Sequence, residues 1–262
     1  MATVQELQAK LDAVQPVLDT LKSMFGTSQD ADFTITCGDR KWPMNKAIVC
    51  AQSPVIEAAM RGDFKEAKDG IYSCKDKEPS VVEAMLHFMY HFDYSEEGSV
   101  NGQESIPPIV FDVQVHMAAD YYQVPSLAKL AVSKFEKRAQ EEWASESFAQ
   151  AAALIYAEAG DKDHQLRDTV VSVALNHSDK LIKEESGAHL RKAADEVPAL
   201  GSALWQAGGS ESSSKLCKCP NVHCTWMVPL KCVDDYIHSN LLYCVLCSRH
   251  YPASTWKATM VQ

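Results

Sequence analysis

The last 46 residues of the chain hold a dense group of thiol and imidazole side chains, including six of the nine cysteines. Cys219 and Cys224 form one short pair, and Cys244 and Cys247 form a second pair after nineteen intervening residues. Two such pairs about twenty residues apart are typical of two knuckles that hold one tetrahedral Zn²⁺ between four thiolates. Soft thiolate ligands suit zinc. The spacing therefore predicts a zinc-ribbon-like module over residues 215–262.

Three further residues compete as ligands of the predicted site. Cys217 and His223 are rivals for the first pair, and His250 is a rival for the second. Four protein ligands close a tetrahedral site and leave no position for a reacting water, so the zinc is expected to be structural. The other interpretation is that the six thiols pack in a core or form redox pairs, which their spacing does not favour.

The module is too small to fold on its own apolar area, so the metal is expected to supply much of its stability. It also carries aromatic and basic side chains: Trp226, Tyr236, Tyr243, Tyr251, Trp256, Lys218, Lys231, Arg249 and Lys257. Such side chains either stack and pair with nucleic acid or pack in the module and dock it onto the rest of the chain. The formal charge of residues 215–262 is only +3, which favours docking.

Charge separates the module from the rest of the sequence. Residues 1–214 contain 20 basic and 33 acidic residues, whereas residues 215–262 contain 5 basic and 2 acidic residues. An acidic body does not attract phosphate groups. The sequence lacks an apolar run of membrane-spanning length and an N-terminal secretory signal. The expected location is intracellular, cytoplasmic or nuclear, without contact to a membrane, and only the basic C-terminal segment could bind nucleic acid.

The N-terminal segment shows the three-four spacing of a helix that packs along a narrow seam. The seam residues are Val4, Leu7, Leu11, Val14, Leu18, Leu21 and Phe25. Pro16 interrupts the pattern and is expected to kink or split the helix near Gln15. The helix either lies on its own domain, which the pattern favours, or meets a second subunit.

Alternation and turn residues predict the elements that follow. Strands are expected over 32–37, 41–44 and 71–74, and helices over 45–60 and 81–90. Ser53-Pro54 is typical of a helix start and lies within residues 45–60. Ser80 is predicted to cap the helix over 81–90, with Glu83 completing a capping box.

The second half of the chain is predicted to be helical. Helices are expected over 111–122, 126–142, 145–159, 165–183 and 187–207, after a mobile acidic loop over 94–108 and before a flexible linker over 208–214. His87, His91 and His116 are interpreted as core or interface residues. The sequence contains no phosphate-binding loop and no nucleophile elbow, so the chain is expected not to be an enzyme.

Residues 30–139 resemble the BTB/POZ domain. The resemblance rests on strand-turn-strand followed by Asn45-Lys46-Ala47-Ile48-Val49, Ser53-Pro54-Val55-Ile56, Gly62-Asp63-Phe64-Lys65-Glu66, Met85-Leu86-His87-Phe88-Met89-Tyr90 and Ala118-Ala119-Asp120-Tyr121-Tyr122. It implies a small sheet flanked by helices that dimerises and recruits partners without catalysis. The family usually has His where this chain has Asn45, which is expected to cap and be buried, and a shorter connection where this chain has residues 94–108.

The resemblance also extends to the later segments and to a binding motif. Residues 145–207 and the cysteine module resemble the helical extension and C-terminus of fungal BTB proteins. Members of the family often bind a cullin through a hydrophobic-x-Glu element, which Phe64-Lys65-Glu66 matches. Phe64 would supply an apolar anchor and Glu66 a hydrogen-bond acceptor. The alternative is that Phe64 fills the core and Glu66 is solvated.

These observations predict an α+β, mainly helical protein. The expected divisions are an N-terminal helix over 1–29, a BTB/POZ domain over 30–142, a helical extension over 143–207, a linker over 208–214 and the zinc-ribbon-like module over 215–262. The expected function is dimerisation through the BTB domain and the N-terminal helix, with recruitment of a client to a cullin-RING ubiquitin ligase. The alternative is a nuclear regulator whose zinc module contacts nucleic acid or a chromatin partner.

Overall fold

The computed structural model describes residues 3–28, 30–75, 77–95, 106–158, 164–210, 216–221, 227–229, 242–243, 250–258 and 260–261. Within these ranges no helix is both long enough and apolar enough to cross a membrane. The described chain is mainly helical and contains three small sheets.

The first sheet has the strand order β2-β1-β3, with β1 at Phe33–Cys37, β2 at Arg40–Met44 and β3 at Ile71–Ser73. Alternate residues of β1 are buried, as their alternating apolarity predicts. Gly38 has a φ of +56° and makes the tight turn into β2, which pairs antiparallel with β1. β3 pairs parallel with β1, so Thr34 lies opposite Ile71. All three predicted strands are confirmed within one or two residues.

Five helices lie in this part of the chain: α1 at Val4–Met24, α2 at Lys46–Gln52, α3 at Pro54–Met60, α4 at Lys65–Asp69 and α5 at Pro79–His91. Buried side chains of α2, α3 and α5 form one core with those of β1 and β2. The helical segment over 45–60 breaks at Ser53, whose hydroxyl accepts a hydrogen bond from the N–H of Ile56. Pro54 occupies the first position of α3, where a proline loses no helical hydrogen bond. The prediction of a helix start at Ser53-Pro54 is confirmed.

The predicted capping box of α5 is wrong. The helix begins at Pro79 with Glu78 at its N-cap, so Ser80 lies inside the first turn and is buried. Proline is favoured at the first helical position, and this moves the start two residues ahead of the predicted one. Glu83 instead pairs with Arg40, the first residue of β2, at 2.6 Å.

The helix α1 is continuous from Val4 to Met24 with Pro16 inside it, so the proline does not split the helix. The stretch around Pro16 is largely exposed, and water is available to the carbonyl group that loses its helical partner. A capping box that the sequence reading missed begins the helix: Thr3 accepts a hydrogen bond from the N–H of Glu6, and the Glu6 carboxylate accepts one from the N–H of Thr3.

The remaining helices pack around a second apolar core. They are α6 at Pro108–Tyr121, α7 at Pro125–Glu142, α8 at Glu146–Glu158, α9 at His164–Asn176, α10 at Ser178–Lys183, α11 at Ala188–Glu196 and α12 at Pro198–Ser210, with a 3₁₀ turn at Glu185–Gly187. Two predicted helices, over 165–183 and 187–207, are each divided, the second at Val197-Pro198. α12 extends three residues into the predicted linker. Residues 96–105 of the predicted acidic loop lie outside the described residues.

The cysteine-rich segment forms two small sheets. β4 at Leu216–Lys218 lies between β5 at Met227–Pro229 and β8 at Met260–Val261, and both pairs are antiparallel. β6 at Leu242–Tyr243 pairs antiparallel with β7 at His250–Tyr251. A short helix, α13 at Ala253–Ala258, contacts β4 and carries Trp256, which is almost fully buried.

Candidate protein-interaction sites

Phe64 stands at the N-cap of α4 with its side chain 62% exposed, and Glu66 follows in the first turn, half-buried. The interpretation that Phe64 fills the core is therefore wrong. An exposed aromatic ring next to a half-buried carboxylate is a surface that suits a partner with an apolar contact and a hydrogen-bond donor. α4 ends at Gly70, which has a φ of +67° and turns the chain into β3.

Two further large apolar side chains are exposed, one in β3 beside α4 and one at the end of α6. Ile71 begins the edge strand β3, and Tyr121 ends α6 with 57% of its side chain exposed. Burial, with smaller contributions from Cys74, Tyr121 and Glu66, raises the pKa of Tyr72 to about 12, so Tyr72 stays uncharged. Glu66 and Tyr121 are thus both close enough to Tyr72 to affect its pKa. Phe64, Glu66, Ile71 and Tyr121 are called the α4–β3 patch below.

Ile71 and Tyr121 were not identified from the sequence. Alternation along the short strand β3 was a usable signal, because it directs Ile71 and Tyr72 to opposite faces. Tyr121 is harder to identify because it adjoins the buried Tyr122, and the two rings contact edge to face at 4.9 Å. Lys77 lies over the Tyr121 ring, with its Nζ 4.4 Å from the centroid, which adds a cation at the margin of the patch.

The N-terminal helix has one exposed and one docked end. Val4 is 83% exposed and Val14 and Val17 are also exposed, whereas Met24 and Phe25 pack against the first core. The side chains of Leu7 and Leu11 lie outside the described residues. Among its described side chains, the helix thus contacts the first core through Met24 and the adjoining Phe25, while three valines along it are exposed.

A polar network that the sequence reading missed connects the two ends of the predicted acidic loop. The hydroxyl of the buried Tyr94 donates to Asp112 at 2.6 Å, and Arg138 Nε donates to the other carboxylate oxygen at 2.9 Å. Lys134 donates to the carbonyl of Tyr94 and pairs with Asp93, both at 2.7 Å. Burial and the neighbouring Asp112 carboxylate raise the pKa of Tyr94, so its hydroxyl keeps its proton and donates.

Asn45 was predicted to cap a helix and to be buried, and three histidines of α5 and α6 were predicted to lie in the core or at an interface. Asn45 is buried as predicted and occupies the N-cap position of α2, but its side chain makes no capping hydrogen bond. Its Nδ2 donates to the carbonyl of Asp30 instead, and its Oδ1 accepts from the Tyr90 hydroxyl. His116 is buried on α6, and His87 and His91 are half-buried on α5 against Phe25. These positions agree with the core or interface assignment of the three histidines.

The predicted zinc ligands are only partly described. Cys219 follows β4 and is buried, while Cys224, Cys244 and Cys247 lie outside the described residues, as does the rival His223. Cys217 is buried in the middle of β4, opposite both Val228 and Met260, and His250 is paired in β7 opposite Tyr243. No group of three or more metal-ligating side chains occurs within the described ranges. The ligand set therefore stays a prediction.

Comparison with known proteins identifies the first part of the chain. Residues 21–139 match the BTB/POZ domain family. Kelch-like protein 40a of Danio rerio is 27% identical over 120 residues, which are 46% of this chain and 18% of that protein. Kelch-like protein 30 of Homo sapiens is 32% identical over 76 residues, 29% of this chain and 13% of that protein.

A third relative extends the match slightly further. Kelch-like protein 41 of Homo sapiens is 23% identical over 141 residues, which are 53% of this chain and 21% of that protein. The chain thus spans about a fifth or less of the length of these three relatives. Together with the observed sheet and helices, the matches confirm the family resemblance for this segment: residues 21–139 form a BTB/POZ domain.

Proposed function

We propose that the chain is a non-enzymatic adaptor that recruits a client to a cullin-RING ubiquitin ligase through its BTB/POZ domain. The observation that supports this function is the exposed Phe64 ring beside Glu66, at the position where family members often carry their cullin-binding element. An aromatic anchor of this kind contributes most of its binding energy when a partner pocket removes it from water.

The rest of the α4–β3 patch fits the same role. Ile71 and Tyr121 are exposed apolar side chains that a partner could also cover, and Glu66 can accept hydrogen bonds from a partner that excludes water. α4 contacts the edge strand β3, which pairs with β1, and the buried side chains of β1 belong to the first core.

Binding of a cullin N-terminal domain to the full chain tests the proposal, measured by calorimetry. Phe64→Ala is expected to weaken binding at least about thirtyfold, because losing a central aromatic anchor costs about 2 kcal/mol or more. Glu66→Gln is expected to weaken it less. Phe92→Ala is a matched control, since Phe92 is an exposed phenylalanine at the end of α5. Absence of binding by the unmodified chain, or equal binding by Phe64→Ala, would contradict the proposal.

Dimerisation through the BTB domain and α1 is the second part of the proposal. The exposed valines of α1 form an apolar surface that a second copy of the chain would cover. Val14→Asp with Val17→Asp is expected to convert a dimer into a monomer in light scattering without lowering the melting temperature of the domain. Val17 and Val14 bury little within one chain, so folding does not depend on them. An unmodified chain that is already a monomer would contradict this part.

The helices α8–α12 and the cysteine module complete the proposed organisation. We infer that α8–α12 are the helical extension of the fungal type and that the module holds one structural Zn²⁺ through Cys219, Cys224, Cys244 and Cys247. Two antiparallel strand pairs support the metal site. β4 and β5 flank the sequence that contains the first Cys pair, and β6 and β7 flank the sequence that contains the second. Paired strands on both sides of a Cys pair suit a zinc knuckle.

Thiolate ligation of zinc requires reduced cysteines, which supports an intracellular location, cytoplasmic or nuclear. The alternative function is a nuclear regulator whose module contacts nucleic acid or a chromatin partner. Titration with DNA and RNA at low salt distinguishes the two functions. No binding is expected from a module with a formal charge of +3. Binding that weakens steeply with salt would favour the alternative.

A further inference from the structure

The docked end of α1 rests on two histidines of α5. The Phe25 ring lies 5.3 Å from the His87 ring and 5.5 Å from the His91 ring, and it is nearly perpendicular to both. The two imidazoles stack on each other with centroids 3.9 Å apart and planes inclined by 7°. Phe25 also contacts Tyr90 at 5.6 Å. The contact that fixes α1 to its own domain therefore contains two ionisable rings in van der Waals contact.

Hydrogen bonds fix where these rings carry their protons. His91 Nδ1 is 3.3 Å from the carbonyl oxygen of His87, and His87 Nδ1 is 2.8 Å from the carbonyl oxygen of Asp93. A carbonyl can only accept, so each Nδ1 carries a hydrogen in this arrangement. The Nε2 atom is then the position at which either ring gains a further proton and becomes a cation.

The surroundings oppose a charge on His91. Burial lowers the pKa of His91, and the neighbouring His87 and Lys22 of α1 lower it further, against a smaller opposing effect of the backbone hydrogen bond. The Asp93 carboxylate interacts with His87 and is paired with Lys134 of α7 at 2.7 Å. Asp32, which affects the pKa of Tyr90, accepts a hydrogen bond from the N–H of Lys46. Neither carboxylate is among the groups that shift the pKa of His91.

We propose that the docking of α1 on the BTB/POZ domain is a proton-sensitive contact, in which protonation of His91 releases Phe25 and frees the helix. A charged His91 would be buried against the Phe25 ring and would lie beside Lys22 of α1, so the proton is accommodated best after the helix has moved away. Docking is complete above the ordinary histidine pKa of about 6.5 and weakens as the pH falls below it. If α1 also forms the dimer interface, as the proposed function requires, acidification weakens the dimer as well.

Hydrogen–deuterium exchange of the full chain at about pH 7.5 and about pH 5.5 tests the contact, with labelling times scaled for intrinsic exchange. Amides in the last turns of α1 are expected to lose protection at the lower pH. The loss is at most about tenfold, because pH 5.5 lies about one unit below the ordinary histidine pKa of about 6.5. His91→Gln removes the ionisable ring and is expected to abolish the pH dependence.

A second stacked histidine provides the matched control. His177 stacks on Trp143 at 4.2 Å with an angle of 7°, between the ends of α7 and α9, so His177→Gln is expected to keep the full response of α1. Equal protection of α1 at both pH values, or an undiminished response in His91→Gln, would overturn the proposal. Light scattering on the same samples distinguishes the proposed dimer from the proposed proton-sensitive contact. A monomer at the higher pH contradicts the dimer but not the contact, which the exchange experiment tests by itself.

Discussion

The BTB/POZ domain and the cysteine-rich module differ in the interactions that stabilise their folds. In the domain, apolar side chains from β1, β2, α2 and α3 are fully buried, among them Ile35, Met44, Val49 and Ile56. The described part of the module has strands of two or three residues, and the side chains it buries include two thiols, Cys217 and Cys219, and Trp256. Burial of apolar area stabilises the first region. We infer that a bound metal does the same for the second.

Removal of zinc should have the largest effect on stability, and it should affect the cysteine-rich module but not the BTB/POZ domain. A chelator under reducing conditions is expected to unfold residues 216–261 while the melting transition of the BTB/POZ domain stays in place. Structural zinc in small modules has an apparent binding free energy on the order of 10 kcal/mol, more than such a module obtains from its own core. Metal analysis and hydrogen exchange of the two regions measure this.

Single substitutions sharpen the test within the module. Cys219→Ala is expected to abolish zinc binding, whereas Cys217→Ala is expected to keep the zinc and to loosen the packing of β4. Cys74→Ala, at a buried thiol beside β3, should leave the zinc content unchanged. A fully reduced chain without zinc would contradict the metal site, and equal loss of zinc in both module variants would make Cys217 a ligand.

The next largest effect is expected from the polar network of the BTB/POZ domain. Asp112→Ala removes the buried carboxylate that accepts hydrogen bonds from both Arg138 and Tyr94. Breaking a buried ion pair from one side costs about 3–5 kcal/mol, so the domain should lose much of its free energy of unfolding. Urea denaturation followed by circular dichroism measures the loss, and the zinc content should not change.

An exposed ion pair in the same domain is the control. Asp63 lies 3.6 Å from Lys68 with its carboxylate fully in water, so Asp63→Ala should cause no measurable loss of stability. An Asp112→Ala variant as stable as the parent would show that the network contributes nothing net. Loss of zinc from that variant would show that the two regions are not independent.

Much of the domain could be predicted from local patterns, because alternation and helical periodicity directly record which side chains face a core. The strands around Gly38 and the helix start at Ser53-Pro54 follow from such patterns. The Asp112–Arg138–Tyr94 network joins residues distant in sequence, and polar residues at such spacing carry no local signal. The exposure of Phe64 also depends on tertiary packing, so the sequence left two interpretations open.

The capping prediction failed for a different reason. Ser80 followed by Glu83 fits the capping box, but Pro79 ahead of it occupies the first helical position and shifts the start of α5. Two local signals competed, and the proline dominated because its fixed φ suits the first turn. The cysteine spacing, by contrast, predicted a site without predicting its strands, since β4 to β8 are too short to show a period.

The smallest expected effects come from two buried serines of the domain. Ser53 donates to the carbonyl of Tyr122 at 2.7 Å and accepts from the N–H of Ile56, whereas Ser80 Oγ has no hydrogen-bond partner within the described residues. Ser53→Ala should therefore cost about 1–2 kcal/mol, because it removes a cap and leaves a buried carbonyl unpaired. Ser80→Ala should be neutral or slightly stabilising, because the hydroxyl it removes is buried without a partner. Urea denaturation of both variants measures the difference. A loss of about 1 kcal/mol in Ser80→Ala would restore the capping role of Ser80 and place the start of α5 after it.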